Sequence, residues 1–169
     1  MQPPDFYHYM LVPSLKVIEK LTGIADTDEA RAMLMAIAGQ ESNWAYRMQV
    51  PVDYAHSYYM FEKGGGVAGV LSHPASSGHI QTVCKALDIS CDTDTVYVAM
   101  SFNGILATTM ARLLLYTDPA SLPALGAVDQ AYETYDRNWR PGSKRPGDWP
   151  ENYNVGLDLI TPDHKPRRA

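Results

Sequence analysis

Twelve prolines and twelve glycines spread through 169 residues divide this chain into short helix-compatible blocks, with no clear run of alternating strands. Pro13 suits the first position of a helix and Gly23 its stop, which predicts a helix over Pro13 to Thr22. Asp26 and Glu29, three apart, form a capping-box pair ahead of Glu29 to Ala38, a stretch of good helix formers. Ser42 to Gly69 differs, with Pro51, four tyrosines and Gly64-Gly65-Gly66, and reads as a loop or short hairpin. Further helices are predicted over Ala75 to Leu87, from Asp94 to Tyr116 with a break at Asn103-Gly104, over Gly126 to Trp139, and over Glu151 to Ile160. Asp92 or Thr93 would cap the second of these, and Pro141 to Pro150 would be a loop. The predicted fold class is therefore mainly α: one helical domain with a short loop or hairpin region after the second helix.

The domain is expected to span 13–160. Residues 1–12 form a predicted N-terminal arm and 161–169 a basic C-terminal tail, both with too little core pattern to fold alone. An apolar content of 46% with 20% charged residues excludes a disordered chain and allows a full core for one domain. No apolar run reaches the roughly 18 residues of a membrane span. Met1-Gln2-Pro3-Pro4-Asp5 carries neither a basic nor an apolar signal region, so synthesis in the cytoplasm is expected.

The net charge of −5 is unevenly placed. Residues 1–136 hold seven basic against fifteen acidic residues, and residues 137–169 hold seven against four. An acidic body argues against specific or nonspecific nucleic-acid binding, whereas the basic end suits either an anionic partner or packing between subunits. His73, His79, Cys84 and Cys91 share one stretch, but their spacing fits no usual zinc pattern, so no metal is expected and the cysteines read as free thiols. Lys63-Gly64-Gly65-Gly66 is no phosphate loop, because the lysine precedes the glycines. No cofactor is indicated.

Chemistry concentrates at Glu41. Leu34, Ile37, Ala38 and Glu41 stand at i, i+3, i+4 and i+7, one face of a helix whose other members are apolar. If the helix runs that far, the carboxylate lies against apolar surface at the negative end of the helix dipole, and both effects raise its pKa. A glutamic acid that keeps its proton near neutral pH is a general acid for glycoside cleavage. If the helix stops at Gly39, Glu41 points into solvent.

Gln40-Glu41-Ser42 at a helix end resembles the Glu-Ser motif of lysozyme-like lytic transglycosylases. Ala36 to Ser42, Arg47, Gln49, Phe61 to Pro74, Ala111 to Pro119 and Arg137 to Gly142 resemble segments of small phage proteins carrying such a domain, over most of residues 30–153. The resemblance implies a lysozyme-like fold and a virion-associated protein that cuts the bond between N-acetylmuramic acid and N-acetylglucosamine during DNA entry. Such a protein is made in the host cytoplasm, carried in the particle and active at the cell wall. Its implied partners are peptidoglycan glycan strands and other virion proteins of the tail, portal or internal core.

Glu41 would then be the catalytic acid. In a transglycosylase the same residue acts next as base, while the muramoyl 6-hydroxyl closes a 1,6-anhydro ring. A hydrolase would need a second carboxylate, for which Asp53 and Glu62 are the candidates. Ser42, Tyr58, Tyr59, Met60, Phe102 and Asn103 fall at or near the family's sugar-contacting motifs. Two of those motifs are altered. Where the family has Gly-Pro-Ala-Arg-Gly-x-Trp-Gln, this chain has Asp53 to Met60, keeping only the alanine, Ala55. Met60 lacks the amide of the family's glutamine, though Tyr59 offers a ring for a sugar face. Ser101-Phe102-Asn103-Gly104 is a loose echo of Ala-Tyr-Asn. These departures leave a second expectation open: a structural virion or tail protein that retains the fold with little or no catalysis.

Overall fold

The computed structural model describes residues 1–49, 51 and 54–161. In chain order the elements are α1 (Pro3–Asp5), a π-helical segment (Phe6–Leu11), α2 (Val12–Thr22), α3 (Asp28–Ser42), β1 (Ala55–His56) and β2 (Phe61–Glu62). A second π-helical segment (Lys63–Val67) follows, then α4 (Ala68–Ser72), α5 (Ser77–Ala86), α6 (Thr93–Ala99), α7 (Gly104–Tyr116), α8 (Val128–Trp139) and α9 (Trp149–Ile160). The protein is mainly helical, with β1 and β2 as a minimal antiparallel hairpin pairing Ala55 with Glu62 and His56 with Phe61.

Much of the punctuation acts as expected. Gly23 closes α2 in the left-handed region at φ 75°. Asp92 caps α6 through a side-chain oxygen, and the expected break at Asn103-Gly104 separates α6 from α7 with a bend of 118°, Asn103 serving as the α7 cap. Other boundaries move. Thr27, not Asp26, caps α3, accepting from the Ala30 N–H. Asp26 instead takes two hydrogen bonds from Arg31, at 2.8 and 2.7 Å. The loop predicted up to Gly69 ends earlier, because Lys63 to Ser72 coil into the π-helical segment and α4.

The expected N-terminal arm is not an arm. Residues 3–12 are helical and run on into α2, and Phe6, Tyr7 and Leu11 are buried in the core. Three apolar anchors within six residues give this segment enough buried surface to hold its helix. The 161–169 tail lies outside the described residues beyond Thr161.

α3 lies at the centre, nearly every residue from Ala30 to Gln40 being buried. α9 runs along it with the most extensive packing between any two elements. The approach is close enough that a Cβ on Gly156 would stand 2.7 Å from the Met35 Cβ, so only glycine fits there. α7 packs on α2 and α5 and also touches α3. No single helix among the described residues is long and apolar enough to cross a membrane.

Candidate active site

α3 does not stop at Gly39. It continues through Glu41 to Ser42, so Glu41 extends the face formed by Leu34, Ile37 and Ala38, all fully buried. The end of the helix is tightly fixed. Asn43 and Trp44 both adopt left-handed backbone, and their N–H groups bond to the carbonyls of Gly39 and Ala38. The Trp44 indole folds back to donate to the Met35 carbonyl at 3.0 Å and covers Gly39, where a Cβ would fall 2.5 Å from its ring. Gln40, almost fully buried, donates to the Arg145 carbonyl at 2.9 Å and accepts from Asn152 at 3.0 Å. These contacts leave Glu41 little freedom at the helix terminus.

The Glu41 carboxyl accepts a hydrogen bond from the Tyr135 hydroxyl, 2.5 Å from Oε1. Its pKa is pushed up to about 7, chiefly by burial; the Tyr135 bond and the positive charge of Arg145 pull the other way and do not cancel it. The rise expected from apolar surroundings is therefore present. Burial and the adjacent carboxylate also push the Tyr135 hydroxyl pKa upward, so it stays a donor.

Glu41 opens onto a cleft of about 940 Å³. From α8 and the loop after it the lining takes Tyr135, Asn138, Trp139, Arg140 to Ser143 and Arg145. From the hairpin and the segment after it come Ala55, Met60, Phe61, Glu62, Gly65, Gly66 and Gly69, and Tyr46, Met48 and Gln49 complete the lining with Leu114. α8 is held by Asp118, which accepts from Arg137 and Asn138, each at 2.7 Å, and whose pKa is lowered by its N–H donors. Trp139 is fixed by an indole hydrogen bond to the Tyr59 carbonyl at 2.9 Å and an edge contact with Phe61. A smaller recess of about 410 Å³ lies beyond Glu41 and Arg145, along Asn43, Trp44 and Asn152.

Of the residues expected at the site, Glu41, Glu62 and Met60 line the cleft. Asp53 lies outside the described residues. Ser42 is buried, its hydroxyl bonded to the Ala38 carbonyl, and borders only the smaller recess. Tyr58 and Tyr59 do not present rings to the cleft. Both are buried, in edge contact with Phe6 at 5.1 and 6.4 Å, and the Tyr58 hydroxyl accepts from Arg47. The turn at the hairpin tip, with Ser57 and Met60 at positive φ, folds the two rings inward. Asn103 is occupied as the cap of α7, and Phe102, though 75% exposed, is not part of the cleft.

Sequence reasoning missed Tyr135, Asn138, Arg140 and Arg145. A signal existed: Tyr132, Tyr135 and Trp139 stand at i, i+3 and i+7 on one face of α8, a row of rings with polar tips. No group of three or more His, Cys, Asp or Glu converges as a metal site among the described residues. Cys84 is buried and Cys91 exposed, both as free thiols. No family model, curated protein or solved structure matches the chain.

Proposed function

We propose that this protein is a phage virion-associated, lysozyme-like lytic transglycosylase that cuts peptidoglycan glycan strands while DNA enters the cell. The reading rests on the resemblance described above and on one observation in particular: a glutamic acid with its pKa near 7 on the wall of an open cleft. A cleft of that volume accommodates several pyranose rings, and Trp139 with Tyr46 provides aromatic surface of the kind sugars pack on. Glu41 would protonate the glycosidic oxygen and then, as carboxylate, accept the proton of the muramoyl 6-hydroxyl. The Tyr135 hydroxyl, donating to Oε1, steadies the carboxyl in both states. Carriage in the particle, contacts with other virion proteins and action at the cell wall belong to the same proposal.

A second reading, a structural virion or tail protein with little catalysis, draws on the fate of the hairpin. Tyr58 and Tyr59, at the altered motif, are committed to the core and not to the cleft.

Purified protein run through a gel containing peptidoglycan separates the two. Clearing by the parent, abolished in a folded Glu41→Gln variant, supports the enzyme. No clearing by folded parent protein supports the structural reading. Mass spectrometry of the soluble fragments then distinguishes 1,6-anhydro ends, expected here, from the reducing ends left by a hydrolase that uses Glu62 or Asp53.

A further inference from the structure

The loop after α8 carries three cations, and two of them are committed. Lys144 pairs with Asp136 at 2.7 Å. Arg145 pairs with Asp148 at 3.3 Å and donates to the Gln40 carbonyl. The third, Arg140, lines the cleft and pairs with no carboxylate among the described residues; the one hydrogen bond of its guanidinium among those residues is a long one, 3.4 Å, to the Arg137 carbonyl. Its backbone sits at φ 50° and ψ 52°, where it ends α8. Glycine takes that position at least cost, and a side chain there costs roughly 1 kcal/mol. Arg140, its guanidinium paired with no carboxylate among the described residues, is therefore held at a strained backbone position next to Trp139 in the lining of the cleft.

We propose that Arg140 is a specificity-determining residue that binds a carboxylate borne by the glycan strand as the sugar backbone lies along Trp139. This rests on the glycan-cleaving reading and names what the cleft selects: an anionic glycan over a neutral one. Guanidinium groups suit the task because they meet a carboxylate with two parallel N–H donors. A lactyl or peptide carboxylate of peptidoglycan supplies that chemistry, and a chitin oligosaccharide does not. Asp136 and Asp148 already hold Lys144 and Arg145, so Arg140 is the loop cation left to a ligand.

The test uses Glu41→Gln protein, which leaves strands uncut, and glycan strands in two forms: native, and with their carboxylates converted to neutral amides by carbodiimide and ethanolamine. The native form is expected to bind about fivefold tighter at low salt, with the preference fading as salt rises. Adding Arg140→Gln should abolish the preference and leave the binding of amidated strands unchanged. Adding Arg140→Gly should abolish it equally while holding or raising the melting temperature, because the left-handed strain is relieved. Loss of the preference together with a gain in stability excludes general unfolding as the cause. Equal binding of both strand forms by the Glu41→Gln protein, or a preference that survives both Arg140 substitutions, overturns the proposal. Binding of neither form overturns the glycan-cleaving reading itself, and the role of Arg140 with it.

Discussion

The two ends of α3 are built to opposite rules. At the N-terminus each charge has a favourable place. Thr27 caps the helix, Asp28 and Glu29 sit in the first turn where the dipole favours anions, and Arg31 is clasped by Asp26. At the C-terminus the helix's own last turn holds no basic residue, and the cation that reaches it, Arg145 on the Gln40 carbonyl, does not offset the burial of Glu41. A carboxyl group is buried there instead, followed by two consecutive left-handed residues, Asn43 and Trp44. One helix thus has an end that contributes stability and an end that stores unfavourable electrostatics beside a cleft. That division is what a catalytic acid requires, since the same burial that disfavours the carboxylate keeps the proton available for transfer.

Substitutions at the two ends should therefore separate activity from stability. Glu41→Gln is expected to cost the largest factor, at least about 100-fold in peptidoglycan clearing, because it removes the only proposed proton donor. Its effect on stability should be opposite in direction and should grow with pH. The folded-state pKa of Glu41 lies above its unfolded value, so the parent is least burdened below about pH 4.5, and the buried carboxylate becomes costly as the pH rises through about 7. Denaturant unfolding from pH 4 to 8 should show the parent losing up to about 3 kcal/mol relative to Glu41→Gln. Clearing by the parent should fall above pH 7.

A change elsewhere in the cleft lining comes next. Gly69 lines the wall, and a Cβ there meets nothing within 4 Å. Gly69→Leu should reduce clearing about tenfold by filling the groove, while unfolding shows no loss of stability, since glycine is the poorer helix former. The smallest expected effect is at the other end of α3. Thr27→Ala should lower unfolding free energy by about 1 kcal/mol and leave the clearing rate per folded molecule unchanged. A loss of activity in Thr27→Ala equal to that in Glu41→Gln would erase the distinction between the ends.

How much was legible in the sequence follows the range of the interactions. The helix stop at Gly23, the cap Asp92, the break at Asn103-Gly104 and the buried face of α3 were readable, because each depends on residues within one or two turns. The hairpin tyrosines and the N-terminal segment were misread together, for one reason. Phe6 packs against Tyr58 and Tyr59 from more than 50 residues away, so the predicted arm is what draws the predicted sugar-stacking rings into the core. Neither partner has a local pattern that reveals the other. The α8 spacing could have marked Tyr135 as a ring on a shared face, but not its partner, and Arg145 left no signal: each reaches the end of α3 from about 100 residues further along the chain. The acid itself was legible because its placement is helical arithmetic; the shell around it is tertiary.

The central claim is that Glu41 holds its proton near neutral pH, and its carboxyl can be titrated without any substrate. In protein labelled with ¹³C at glutamate side-chain carboxyls, the resonance missing from Glu41→Gln identifies the group. An apparent pKa near 7 for that resonance is the predicted result. An apparent value near the ordinary 4.5 would contradict the account, because the group would then be a carboxylate with no proton to give.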